Sequence, residues 1–200
     1  MVTMPLTMCG SLPTPCSADE DQSLRALMIR YQLGEMEAFE ELYLRTLRMI
    51  RGYVAALTPD RDRVSDLVQE TYLQVHRARE TYDPAFPVKP WLLGIVRHVR
   101  LTDRRRWWRR LSREVVGLEG VPEVPIPAEM ESLADHDALA RALASLPADW
   151  REAIVLHHVY GLSFREVGGV VGVSEVGARI RACRGMSRLR GALAAGGQDG

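Results

Sequence analysis

The sequence predicts an all-α fold: two small helical domains joined by a flexible acidic linker, the second a helix-turn-helix. Three observations carry this reading. Apolar residues recur at three- and four-residue spacing through most of the chain, and no sustained two-residue alternation occurs. An acidic stretch with Pro122, Pro125 and Pro127 interrupts the helical pattern near its middle. Beyond it, two short helical segments meet at a glycine turn, and the second is rich in arginine.

The elements follow in order. Residues 1–20 hold Pro, Ser and Thr without a sustained apolar pattern, and are expected to be a disordered tail. From Asp21, Leu24, Leu27, Met28 and Tyr31 share one helix face, and Gly34 ends that helix. Phe39, Leu42, Tyr43, Leu47, Ile50, Tyr53, Val54 and Leu57 form a second face, closed by Thr58-Pro59-Asp60. Val64, Leu67, Val68, Tyr72 and Val75 predict a third helix from about Asp62 to Arg79. The segment TYDPAFPVKP is a loop, and Pro90 suits the first turn of a fourth helix reaching about Leu111, because a first-turn N–H needs no partner.

Residues 113–137 form the linker, and helices resume at Ala138. Leu139, Leu143 and Leu146 lead to Pro147. Trp150, Ile154, Val155, His158 and Val159 then form an apolar face that stops at Gly161. Ser163 with Glu166 has the spacing of a capping box. Val167, Val170 and Val171 face inward, Gly172 turns the chain, and Ser174 caps a last helix from Glu175 to about Leu193. On that helix Ala178, Ala182, Gly185 and Leu189 make a narrow packing seam, which leaves the arginines on other faces. Residues 194–200 are a tail. The domains are thus read as 21–112 and 138–193.

The formal net charge of +0 conceals blocks. Residues 97–113 carry net +7, residues 114–137 net −7, and residues 174–193 net +4. Two basic blocks flanking an acidic linker suggest a polyanion touched at two places. Arginine suits both phosphates and base edges through its planar fork.

Other chemistry finds little support. Cys9, Cys16 and Cys183 form no CxxC pair, so neither a disulfide framework nor a zinc site is expected. His157 and His158 are neighbours about 100° apart on a helix and lack companions at ligand spacing, so no metal is assigned. No phosphate loop, nucleophile elbow or HExxH motif occurs, and no enzyme activity or cofactor is expected. No apolar run reaches the roughly 18 residues of a membrane span. The N-terminal segment lacks a signal-peptide pattern, so a cytoplasmic protein without membrane insertion is expected.

Taken together, three segments resemble the extracytoplasmic-function (ECF) sigma factors of bacterial RNA polymerase. DLVQETYLQVHR resembles that family's polymerase-contacting helix. FPVKPWLLGIVRHVRLTDRRR resembles its promoter-melting helix. LASLPADWREAIVLHHVYGLSFREVGGVVGVSE resembles its second domain. The sequence departs from the family at His98, at Val88-Lys89, across residues 176–182, and at Gly168-Gly169.

The resemblance implies a transcription initiation factor that binds core RNA polymerase, recognises duplex −35 DNA and melts the −10 element. It also implies an anti-sigma partner. Polymerase contact falls to Asp66, Leu67, Gln69 and Glu70, with Leu67 open to either core or interface. Contact with the −10 element falls to Phe86, Lys89, Arg97, Arg100, Arg104, Arg105 and Trp108, with Phe86 equally readable as a core residue. Contact with the −35 element falls to Arg165, Ser174, Glu175, Arg179, Arg181 and Arg184. A helix-turn-helix regulator with a sensing or dimerising first domain is the main alternative, and an enzyme or scaffold without DNA contact the second.

The stretch RLTDRRRWWRRLSR can be read by angle, at about 100° per residue from Leu92. Arg97, Arg100 and Arg104 fall within about 60° of one another and predict one exposed stripe. Asp103 falls on the core side, with Arg106 as its expected partner. Trp107 lies at the edge of the core face and Trp108 about 100° further round. Trp107→Ala should therefore chiefly lower the melting temperature, and Trp108→Ala should chiefly weaken open-complex formation; equal thermal losses would overturn this division.

Overall fold

The computed structural model describes residues 18–58, 60–114 and 134–196, all helical or connecting, with no strand among them. The first lobe holds α1 (Ala18–Gln32), α2 (Met36–Leu57), α3 (Asp62–Ala78) and α4 (Val88–Glu114). A 3₁₀ turn, Arg79–Thr81, follows α3. The second lobe holds α5 (Ala134–Ala144), α6 (Ala148–Ile154), a π-helical turn (Val155–Val159), α7 (Phe164–Val171) and α8 (Glu175–Gly196). Residues 1–17, most of the acidic linker and residues 197–200 lie outside this description. α1 begins three residues before the expected Asp21, and α5 begins at Ala134 rather than Ala138, so the helices take residues from both expected irregular segments.

The amphipathic pattern explains the first lobe. Leu24, Leu27, Met28 and Tyr31 from α1 pack with Leu42, Val75, Val88 and Leu92, all nearly inaccessible. The start of α4 is tied to the start of α1: the Val88 N–H donates to Asp21 Oδ1 at 3.1 Å, and Lys89 Nζ meets Glu20 Oε2 at 2.7 Å. Asp21 thereby serves an orphan N–H of a helix distant in sequence. Gln32 Nε2 donates to the carbonyls of Arg79 and Tyr82 at 2.8 and 2.9 Å, fixing the α3–α4 connection. Asp103 pairs with Arg63 of α3, Nη2 lying 2.5 Å from both carboxylate oxygens, and not with Arg106 as its spacing suggests.

The second lobe is built on the small-residue seam. Ala178, Ala182 and Leu189 are buried, with Ala142, Leu146 and Ile154 packed around Leu189. A Cβ at Gly185 would lie 2.7 Å from Ile154 Cδ1 and 3.1 Å from Trp150 Cβ, so α8 approaches α6 closely here and a larger residue would make those side chains shift. The capping box forms as spaced: Ser163 Oγ accepts from the Glu166 N–H, and Glu166 Oε2 accepts from the Ser163 N–H at 2.8 Å. Gly172 holds φ 74° at the turn into α8, a conformation that side chains other than glycine resist.

Of the apolar face expected over Trp150–Val159, Ile154 and Val155 are buried as expected, whereas His158 and Val159, past the start of the π turn, are exposed. A regular helix would carry Val159 inward, yet Val159 is 67% exposed and Leu156 is fully buried. The Tyr160 N–H bonds to the Val155 carbonyl five residues back, so each side chain past Val155 is rotated from its α-helical place.

Gly168 and Gly169 sit together in α7 but meet opposite surroundings. A Cβ on Gly168 would lie 2.7 Å from the Val173 carbonyl oxygen, whereas a Cβ on Gly169 would meet nothing within 4 Å. Gly168→Ala should destabilise the protein by about 1–3 kcal/mol through overpacking. Gly169→Ala should stabilise it by about 0.5–1 kcal/mol through helix propensity. Chemical denaturation of the two variants measures this opposition in sign.

Candidate nucleic-acid interface

The basic helix α4 spans 27 residues and presents different surroundings along its length. Arg104, Arg105, Arg106 and Arg109 are exposed. Arg97 and Arg100 are not part of an open stripe. Arg100 is only 8% exposed, and its Nη2 donates to Glu152 Oε1 at 2.7 Å. Arg97 Nε donates to Glu152 Oε2 at 3.3 Å. Glu152 belongs to α6 of the second lobe, so the expected stripe is covered halfway by the other domain. Angles on α4 alone carry no information about that covering. Trp107 is half-buried beside a polar groove lined also by Arg63, Asp66, Glu70, Asp103 and Arg106. The side chain of Trp108 lies outside the described residues.

Phe86 is 62% exposed at a structured turn. The Phe86 N–H donates to the Asp83 carbonyl at 3.0 Å, the Ala85 N–H to Asp83 Oδ1 at 2.9 Å, and Tyr82 Oη to the Phe86 carbonyl at 2.7 Å. These bonds occupy the backbone and leave the ring outside the core. Tyr82 is itself buried and packs edge-on against Trp91. Phe86, Trp91, Ile95 and His98 line one wall of a groove of about 970 Å³, and Arg165 and Gly169 of α7 line the other.

On α3, Asp66 and Gln69 are exposed, and Glu70 is partly covered, accepting from Gln74 Nε2 at 2.6 Å. Leu67 is 5% exposed and belongs to the core of its two possible readings. Leu73, 53% exposed and one turn beyond Gln69, extends that face and escaped the sequence reading. Its signal was an apolar residue off the periodic core face.

On the helix-turn-helix, Arg165, Ser174, Glu175, Arg179 and Arg184 are exposed. Ser174 Oγ accepts from the Gly177 N–H at 3.1 Å, capping α8. Glu175 Oε1 accepts from Arg179 Nη2 at 3.3 Å, and the Arg179 guanidinium also lies 5.2 Å from the Phe164 ring centroid. Phe164 stacks on His157 at 3.9 Å, and His157 Nδ1 sits 2.7 Å from the Leu162 carbonyl oxygen. A carbonyl only accepts, so that nitrogen carries the proton. Arg181 is turned toward α6, 3.4 Å from Asp149. Val176 and Ile180, 65% and 45% exposed, stand between the arginines of α8 and were missed because apolar residues there read as packing. Side chains of this kind can meet thymine methyl groups in a major groove.

The two lobes meet at tyrosines as well as at Glu152. Tyr53 Oη donates to Glu152 Oε1 at 2.7 Å, and Tyr160 Oη donates to the Met49 carbonyl at 3.1 Å. The two rings lie edge to face at 6.0 Å. Burial drives the Tyr53 phenol well above its ordinary range, and the adjacent Glu152 charge adds to this. Burial alone brings Tyr160 to about 12.

Comparison with known proteins places this geometry. The Sigma-70 region 2 family model matches residues 42–110, and the Sigma-70 region 4 model matches residues 136–189. Over 167 residues the chain is 36% identical to the RNA polymerase sigma factor CarQ of Myxococcus xanthus, covering 82% of this chain and 93% of that one. It is 34% identical over 179 residues to the ECF RNA polymerase sigma factor SigF of Caulobacter vibrioides, covering 86% and 94%. The fold is similar to that of RpoE from Bartonella quintana, solved with the anti-sigma factor NepR. That match has a TM-score of 0.65 and 26% identity, over 78% of this chain and 96% of that one. It is also similar to CnrH, solved with the cytosolic domain of CnrY, with a TM-score of 0.64 and 24% identity over 86% and 98%.

Regions 2 and 4 in one chain define a two-region transcription initiation factor of the sigma-70 class. The chain belongs to the ECF family of RNA polymerase sigma factors and directs the polymerase to promoters. Among the described residues no helix is long and apolar enough to cross a membrane.

Both interface phenols are held protonated, so the lobe contact is at full strength below about pH 10, the unperturbed value. It should weaken as pH rises from there toward 12, as ionised phenols favour the solvated, separated state. Small-angle scattering across that range should show expansion, and Tyr160→Phe should flatten its pH dependence.

Proposed function

We propose that the first lobe, residues 21–112, binds core polymerase through Asp66, Gln69 and Glu70, with exposed Leu73 extending the contact. Leu67 supports that face from beneath. In this reading the same lobe opens the −10 element. Phe86 stacks on an unpaired base, while Lys89, Arg97, Arg100, Arg104, Arg105 and Trp108 hold the displaced strand. Residues 138–193 bind the −35 element as duplex. Arg165, Arg179, Arg181 and Arg184 meet bases and phosphates, and Ser174 and Glu175 set the start of the recognition helix. Residues 113–137 join the two. The protein contributes binding energy rather than bond chemistry, works in the cytoplasm beside the polymerase, and has an anti-sigma factor as a further partner. Support for that partner comes from RpoE and CnrH, each solved with its own binding protein.

The exposed Phe86, held out by its own turn directly before an arginine-rich helix, supports this reading most strongly. An exposed aromatic at the head of a helix that carries arginines suits single-strand capture, since stacking is worth about 1–3 kcal/mol per base. Reconstitution with core polymerase and run-off transcription tests it. Phe86→Ala should lower open-complex formation by about tenfold or more, as that stacking energy implies, with an unchanged melting temperature. Arg179→Ala and Arg184→Ala should instead weaken duplex promoter binding. Full open-complex formation by the Phe86 variant would overturn the assigned role.

A further inference from the structure

Glu152 is the most deeply buried carboxylate among the described residues, at 3% exposure. It accepts three hydrogen bonds, all from the other lobe: Tyr53, Arg97 and Arg100. No cation of its own lobe answers it among these contacts. All of these hydrogen bonds cross the domain junction. The two guanidiniums it engages are those that the proposed role assigns to the −10 strand. To them, a carboxylate offers the same chemistry as a phosphate: an anion with two acceptor oxygens.

We propose that Glu152 is an internal latch, occupying the polyanion site of α4 and holding the two lobes closed until nucleic acid and polymerase replace it. The proposal rests on the reading of Arg97 and Arg100 as DNA contacts. Two further observations fit it. Tyr53 and Tyr160 complete the same junction, from α2 and from the residue that follows the π turn. Val96 and Val99 of α4 share one apolar cluster with Val167 and Val171 of α7, so closure also buries apolar surface.

The thermodynamic consequence is a population effect. A strand that binds only the open form sees its affinity reduced by the open fraction. If closure leaves roughly one molecule in ten open, removing the latch should tighten binding about tenfold.

The test uses the full chain, small-angle scattering, and a fluorescein-labelled single-stranded DNA 20-mer of mixed sequence. Glu152→Gln keeps the shape and removes the charge. Tyr53→Phe removes one bond to Glu152 without changing any charge, and stands in should Glu152→Gln fail to fold by circular dichroism. Both should enlarge the radius of gyration. Oligonucleotide binding should tighten about tenfold for Glu152→Gln and about threefold for Tyr53→Phe, on the same population reasoning. An unchanged radius of gyration in the folded variants would overturn the latch itself. Expansion with unchanged DNA affinity would overturn the proposal through its other premise, by showing that Arg97 and Arg100 do not hold the strand. Tightening in Glu152→Gln but none in Tyr53→Phe would reduce the effect to simple charge removal and would equally overturn it.

Discussion

A carboxylate withdrawn from water needs partners, and the arrangement of both lobes follows from where Glu152 finds them. Its burial is tolerable only because two guanidiniums and a phenol surround it. Those three groups lie on α2 and α4, so satisfying one side chain of α6 fixes the second lobe against the first. Removing one partner from a buried pair typically costs about 3–5 kcal/mol, because the other charge remains buried and unmet. The apolar cluster running from Ile50 and Leu93 to Val167 and Ala182 then adds area to a junction whose orientation is set by charge.

The same helix α4 thus faces two environments. Its first half is stapled to α1 at Asp21 and Glu20, and then covered at Arg97 and Arg100. Its second half leaves Arg104, Arg105, Arg106 and Arg109 in solvent. An initiation factor gains from this division. A fully open run of arginines would bind any polyanion, since phosphate attraction is largely independent of sequence. Covering part of the run ties strong binding to a state in which the lobes have separated.

Much of the architecture was legible in the sequence because it depends on local periodicity. The α1 and α3 core faces, the Ser163–Glu166 box, the Gly172 turn and the Ala178–Ala182–Gly185 seam each follow from spacing within one element. What escaped depends on neighbours distant in sequence. Asp103 meets Arg63, 40 residues away, and Arg100 meets Glu152, 52 residues away. No helical wheel contains such a partner. The apolar face past Val155 failed for a different reason: a constant angle per residue holds only while the helix stays α. Leu73, Val176 and Ile180 were passed over because exposed apolar residues look like ordinary packing until burial is known.

The π turn at Val155–Val159 acts as a phase adjuster. It offsets the rotation of everything after it, so that Leu156 and His157 turn inward and Tyr160 reaches across to Met49. The junction between the lobes is therefore specified by a count as well as by composition. Wound there as ordinary α-helix, the same residues would present Tyr160 to the first lobe at a different angle.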